Sequence, residues 1–347
     1  MEDTIGSPLG DPGYRLVDAD AHINEPPDLW TSRVPAALRD RAPRIEHLER
    51  GDAWVMEGVE DPINFGLNAA AGLPLADRRP WTRFEDIRAG GYDPKARLEE
   101  MDVDLVDACV LFPTPRVSQM VIGTKDPVLH LALVQAYNDW LAEYCSYEPS
   151  RLGGVMLVPN RGVDDAVWHA IADTGLPLHI HVKLVNELPK DIYSSTTITE
   201  GHVEGDLRFL QAPVRMLQFV NGAVFERIPE LQMVLAEVDA GWVPYVKEQV
   251  DNRLLRRTPG ADIRRRRLPS RIIEEHFSFT YITDHFALRN RHAVGVERLM
   301  WSSDYPHAGS DWPESVRTIH ADFAGIPARE RDLILGGNAR RLYGFGT

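Results

Sequence analysis

The stretch Val17-Asp18-Ala19-Asp20-Ala21-His22-Ile23-Asn24-Glu25-Pro26 decides how this chain is read. Tyr14, Leu16 and Val17 lead into it, and Pro26-Pro27 closes it. As a strand over Arg15–His22 it sends alternate side chains to opposite faces, so Asp18, Asp20 and His22 share one face. Three ionisable groups on one face of an early strand do not serve packing. They fit a strand whose C-terminal end holds a cation, with Asp20 and His22 as a chelating pair two residues apart. A solvated strand end gives the same pattern, so the other strand ends must decide.

Those strands are readable downstream. Leu105–Phe112, Gly153–Val158, Leu176–Val182, Gln232–Asp239, Phe277–Thr283 and Leu299–Asp304 are short apolar runs of the kind a buried parallel sheet needs. Helical patterns separate them: Pro94–Met101 behind an Asp93 N-cap, Asp126–Tyr147, Asp164–Asp173 closed by Gly175, Leu207–Phe225 and Val243–Arg256. Two closing helices follow near Pro313–Ala324 and Ala328–Leu335. Alternation of this kind over a long chain predicts a parallel α/β fold, with a (β/α)₈ TIM-type barrel as the leading form. No glycine-rich nucleotide turn follows the first strand, which counts against a doubly wound sheet. Only seven strands are convincing, so the barrel is either shortened by one β/α unit or hides a strand elsewhere. The expected organisation is a loose arm over residues 1–13 and a single domain over 14–347. Within that domain a cap is inserted at about 29–92, containing a hairpin of Arg44–Leu48 with Ala53–Met56. Such an insertion serves as a lid, a site wall, a surface excursion or a dimer contact. Its Trp30, Trp54 and Trp81 form either an aromatic wall or a small core.

Composition narrows the function. A net charge of −14 argues against nucleic acid and anionic membrane surfaces as partners, and the run Arg264–Arg267 reads as a solvated turn. Two cysteines, Cys109 and Cys145, make no disulfide framework. With no long apolar run, the expectation is a cytoplasmic enzyme with a small-molecule substrate and a homodimer as one option.

In a barrel, the C-terminal strand ends carry the chemistry. Here they offer Asp20 and His22, then His179 and His181, then Glu237 and Asp239, then Asp304 and His307. Four strands that each deliver a metal-type ligand at the same end point to one divalent metal site. The donors suit Zn²⁺ or Mn²⁺, with Fe²⁺ also allowed. His307, Asp239 and Arg289 are candidate substrate contacts.

The segments DADAHINEP, LPLHIH, IPELQMVLAEVDAGW, WSSDYPH and GGNARRLYG resemble the amidohydrolase-related proteins. Within them they resemble the branch of aminocarboxymuconate semialdehyde decarboxylase and the non-oxidative aromatic-acid decarboxylases. The resemblance runs from Arg15 to Phe345. It implies a barrel with one divalent metal on Asp20, His22, His181 and Asp304. The chain departs from the family at Glu237, where many members have a histidine, and a carboxylate there is a ligand or a base. Catalysis is expected from Asp304 and Glu237. Hydrolysis of a small cyclic or aromatic substrate is favoured, because a carboxylate beside a cation is ionised and serves as a base. Decarboxylation of an aromatic or unsaturated acid is the alternative, and a catalytically degenerate barrel that only binds is the second.

Overall fold

The first strand, β1, spans Leu16–His22, and all of its residues are buried. The computed structural model describes residues 13–160, 165–181, 211–257 and 267–346. The expected arm therefore lies outside the described residues except for Gly13, as do Leu207–Leu210 and Arg264–Arg266. The described residues divide into two compact units. One holds residues 13–160 and Ser303–His320, and the other holds residues 165–181, 211–257, 267–302 and 321–346.

In the first unit, β1 is followed by an antiparallel hairpin of β2 (Arg44–Leu48) and β3 (Gly51–Val55). The expected turn was longer. Its real tip is Glu49-Arg50, because Gly51 begins the strand with φ +147 and pairs with Leu48. Besides a short helix, Leu29–Arg33, the regular structure in the rest of the insertion is a series of 3-10 turns. β1 then pairs in parallel with β4 (Val106–Phe112), which pairs in parallel with β5 (Leu152–Gly154). The helix Pro94–Val103 starts as read from sequence, since Asp93 accepts a hydrogen bond from the Ala96 N–H at 2.8 Å. Asp126 caps the long helix Pro127–Cys145 in the same way. Trp30 and Trp54 are 1% and 2% exposed and meet edge to face at 5.3 Å. Trp30 also donates to the Leu133 carbonyl, so both rings belong to the core of this unit.

The second unit is a four-stranded parallel sheet in the order β6 (Leu178–His181), β7 (Met233–Ala236), β8 (Phe277–Tyr281) and β9 (Leu299–Trp301). The helix Asp165–Asp173 precedes β6, and helices Gln211–Asn221, Val243–Arg257 and Pro269–His276 lie between its later strands. Counting both units, the described residues contain seven parallel strands, each overlapping a segment read as a strand from sequence, although β5 meets the run Gly153–Val158 only at Gly153 and Gly154.

Candidate metal centre

β1 delivers its ligands through backbone ties to the segment after β9. The Asp304 N–H donates to the Asp20 carbonyl at 3.0 Å, and the His22 N–H donates to the Tyr305 carbonyl at 2.6 Å. Asp304 itself has φ +58, a left-handed conformation that aspartate tolerates better than most residues. The result is a buried cluster in which Asp20 and His22 are 0% exposed and Asp304 is 4% exposed.

The orientation of His22 is informative. Its Nδ1 lies 3.0 Å from the Pro113 carbonyl oxygen, which can only accept, so the proton sits on Nδ1. In the neutral ring Nε2 then carries a lone pair, and it faces two carboxylate oxygens: Asp304 Oδ1 at 3.4 Å and Asp20 Oδ1 at 3.6 Å. An imidazole nitrogen and two carboxylate oxygens turned toward one point are a donor set that a divalent cation takes. Ligand atoms each about 2.1 Å from a tetrahedral ion stand about 3.4 Å apart, so the spacing is that of a ligand shell. The donor set therefore fits a divalent ion.

His307 completes this cluster. Its Nδ1 is 2.6 Å from Asp304 Oδ1, its ring stacks on His22 at 4.0 Å, and its Nε2 is 3.1 Å from the side-chain amide of Asn68. His22, Asp304 and His307 offer ligand atoms within 4.8 Å of one another.

In the second unit, His181 ends β6 and Glu237 follows β7, with His181 Nε2 3.5 Å from Glu237 Oε2. Glu237 also has positive φ, at +56, and its N–H donates to Thr280 Oγ1 at 2.8 Å. This pair repeats the spacing seen around His22. His179, two residues earlier, has another role. Its Nε2 lies 2.8 Å from the Tyr343 hydroxyl and its ring stacks on that tyrosine, while burial pulls its pKa down to about 3. It is a neutral packing residue.

The amidohydrolase family model matches residues 159–345, more than half of the chain. The chain belongs to the amidohydrolase family. Members are metal-dependent enzymes, hydrolases or carboxy-lyases. No curated protein matches the sequence. Among solved structures, an amidohydrolase from Mycobacterium avium subsp. paratuberculosis K-10 is 18% identical with a TM-score of 0.72, over 96% of this chain and 100% of that one. A 5-carboxyvanillate decarboxylase from Novosphingobium aromaticivorans, complexed with manganese and 4-hydroxy-3-methoxy-5-nitrobenzoic acid, is 16% identical with a TM-score of 0.62, over 99% of both chains. A dihydroxybenzoic acid decarboxylase from Polaromonas sp. JS666, with bound manganese and 2-nitroresorcinol, is 16% identical with a TM-score of 0.56, over 95% and 97%. These likenesses carry the fold class, an α/β fold of the TIM-barrel type.

The remaining sequence candidates fall as follows. Asp18, expected on the face of Asp20 and His22, accepts from the Ser303 N–H at 2.9 Å, from the Ser303 hydroxyl and from the Asp20 N–H at 3.2 Å. It braces the ligand segments. Burial, partly offset by these bonds, pushes its carboxyl up to about 6. Asp239 is half-buried with φ +54, in a loop held by Asp284, which accepts from the Ala240 and Gly241 N–H groups at 2.8 Å. Arg289 is exposed, its guanidinium 5.9 Å from the Phe286 ring. Sequence reading missed Asn68, which comes from the insertion, and Pro113, whose carbonyl fixes His22. No local motif marks either.

Proposed function

We propose that this family member is a metal-dependent decarboxylase of a small aromatic acid, with a divalent ion on Asp20, His22, His181 and Asp304 and with Glu237 in or beside the shell. The observation that carries the metal reading is the Nε2 of His22 set against two carboxylates at ligand spacing. The substrate class is supported by the likeness to manganese-bound aromatic-acid decarboxylases. A divalent ion held there would draw electron density from the substrate's carboxylate and hydroxyl oxygens. The chain must then supply a proton to the carbon that loses CO₂, and the Asp304–His307 pair stands where a proton can be held. Asn68 suits that task, because an amide that turns over accepts from His307 Nε2–H and so tolerates the imidazolium. His307 and Asp239 are proposed substrate neighbours. The two cysteines are free, which supports a reducing, cytoplasmic location.

Hydrolysis is the second reading, and the same contact favours it in the other protonation state. With the Asn68 amide donating to Nε2, His307 is neutral and its Nδ1–H stabilises an ionised Asp304, which is a base. The test is metal content of the purified protein and of His181→Ala, followed by a panel of hydroxybenzoates, lactones and amides with metal-replete enzyme. We expect metal in the parent, loss of it in the variant and CO₂ release from a carboxylated aromatic. Hydrolysis without CO₂ release would replace the first reading with the second. Full metal occupancy in His181→Ala would remove that residue from the shell, and a metal-free, inactive parent would favour a binding protein.

A further inference from the structure

Arg97 is 1% exposed, in the middle of the helix Pro94–Val103. Its Nη2 donates to the backbone carbonyl of His22, and its guanidinium lies 4.5 Å from the centre of the Tyr305 ring. Tyr305 immediately follows Asp304. One helical turn after Arg97, Glu100 accepts from the Tyr305 hydroxyl, and the Glu100 carbonyl accepts from Trp312 Nε1 at 2.9 Å. At the C-terminal end of the helix, Asp104 accepts from the Ser315 N–H at 3.0 Å. One face of this helix therefore holds the segment that carries Asp304, and Arg97 alone on that face also holds the residue that carries the His22 imidazole.

A buried guanidinium is an expensive way to fill volume. Taking it out of water costs several kcal/mol unless its hydrogen bonds and charge are used, and a methionine would occupy similar space at lower cost. Arg97 sets its Nη2 on the His22 carbonyl and its face on the ring next to Asp304. Lysine lacks the flat face that meets the Tyr305 ring, so the two contacts together call for arginine.

We propose that Arg97 is a positioning residue of the metal centre, fixing His22 and Asp304 at ligand spacing by gripping the His22 carbonyl and the Tyr305 ring at once. This rests on the reading of Asp20, His22 and Asp304 as ligands. Residues that orient ligands typically contribute about 10–100-fold in metal affinity.

The experiment measures Mn²⁺ affinity by competition with a chelating dye, in parallel with urea unfolding of the chelator-treated proteins. The parent is compared with Arg97→Met, Arg97→Lys, Tyr305→Phe and Tyr305→Leu. Arg97→Met is expected to weaken Mn²⁺ binding about 10–100-fold, and Arg97→Lys to recover part of that loss. Tyr305→Phe keeps the ring and should bind Mn²⁺ as the parent does, whereas Tyr305→Leu removes the ring and should weaken binding. A folded Arg97→Met with parental Mn²⁺ affinity overturns the proposal, including when its stability has fallen, since that is the signature of packing alone. If Arg97→Met does not fold, Tyr305→Leu and Arg97→Lys decide, and parental affinity in both overturns it. A parent that binds no Mn²⁺ or Zn²⁺ refutes the metal centre itself and is read before any variant.

Discussion

Glu25→Gln tests how the exit of β1 is held. Glu25 is 2% exposed, and one of its carboxylate oxygens accepts from the Thr114 N–H at 3.0 Å. Thr114 in turn donates its hydroxyl to the Ile23 carbonyl at 2.8 Å, so the three residues tie the end of β1 to the end of β4 next to Pro113. Burial pushes the Glu25 carboxyl up from 4.5 to about 7. At about 1.36 kcal/mol for each pH unit, that difference is about 3 kcal/mol. The folded state holds this proton more tightly than the unfolded chain, so stability falls as pH rises from 4.5 to about 7 and stays lower above it. Glutamine has the shape of the protonated acid and does not titrate. Glu25→Gln should therefore match the parent to within about 1 kcal/mol near pH 5 and exceed it by up to about 3 kcal/mol above about pH 8. Urea unfolding of chelator-treated parent and variant across that range measures the difference. A gap that does not change with pH would refute the reasoning, because it would show that Glu25 ionises as readily in the folded protein as in the unfolded chain.

Two further outcomes follow from packing and burial. Trp54→Ala should cost about 3–5 kcal/mol in urea unfolding, since it empties a fully buried site against Trp30, and should leave Mn²⁺ affinity unchanged. Cys109 and Cys145, whose thiols burial pushes up to about 12, should resist a thiol-reactive dye near pH 8 in the folded protein and label quickly in urea.

The strands β4, β7, β8 and β9 were legible because each is a largely buried apolar run, and burial of that kind leaves a composition signature that needs no partner to be seen. The N-cap Asp93 was legible for a related reason: a cap bonds within three residues of itself, as Asp126, read only as the first residue of its helix, also does. Alternation along β1 put Asp18, Asp20 and His22 on one face but could not rank them. What separates Asp18 from Asp20 is the Ser303 N–H and hydroxyl, which arrive from 285 residues away. Asn68 and Arg97 were invisible for the same reason, since an asparagine in a loop and an arginine in a helix have ordinary surroundings in sequence. Arg289 shows the converse. A cation shortly after a strand end reads as a substrate contact, yet the helix His285–Arg289 places it at the surface. The turn is shorter than the gap between Arg44–Leu48 and Ala53–Met56 predicts, because Gly51 uses its backbone freedom to enter the strand pressed against the Thr82 backbone.

Asp304 shows why so much long-range structure converges on one carboxylate. Its left-handed backbone, at φ +58, is strained for a non-glycine residue and persists only where the surroundings over-determine it. Here they do: its own N–H is bonded to the Asp20 carbonyl, the next residue's carbonyl takes the His22 N–H, and its carbonyl receives the His307 N–H at 2.9 Å. The last of these bonds closes the turn that brings the His307 imidazole back onto the carboxylate it follows by three residues. The backbone thus fixes the Asp304 carboxylate between two imidazoles, His22 Nε2 at 3.4 Å and His307 Nδ1 at 2.6 Å. With its position fixed by these bonds, Asp304 meets His307 Nδ1 at 2.6 Å, and under the proposed function decarboxylation needs one more proton on this pair than hydrolysis does.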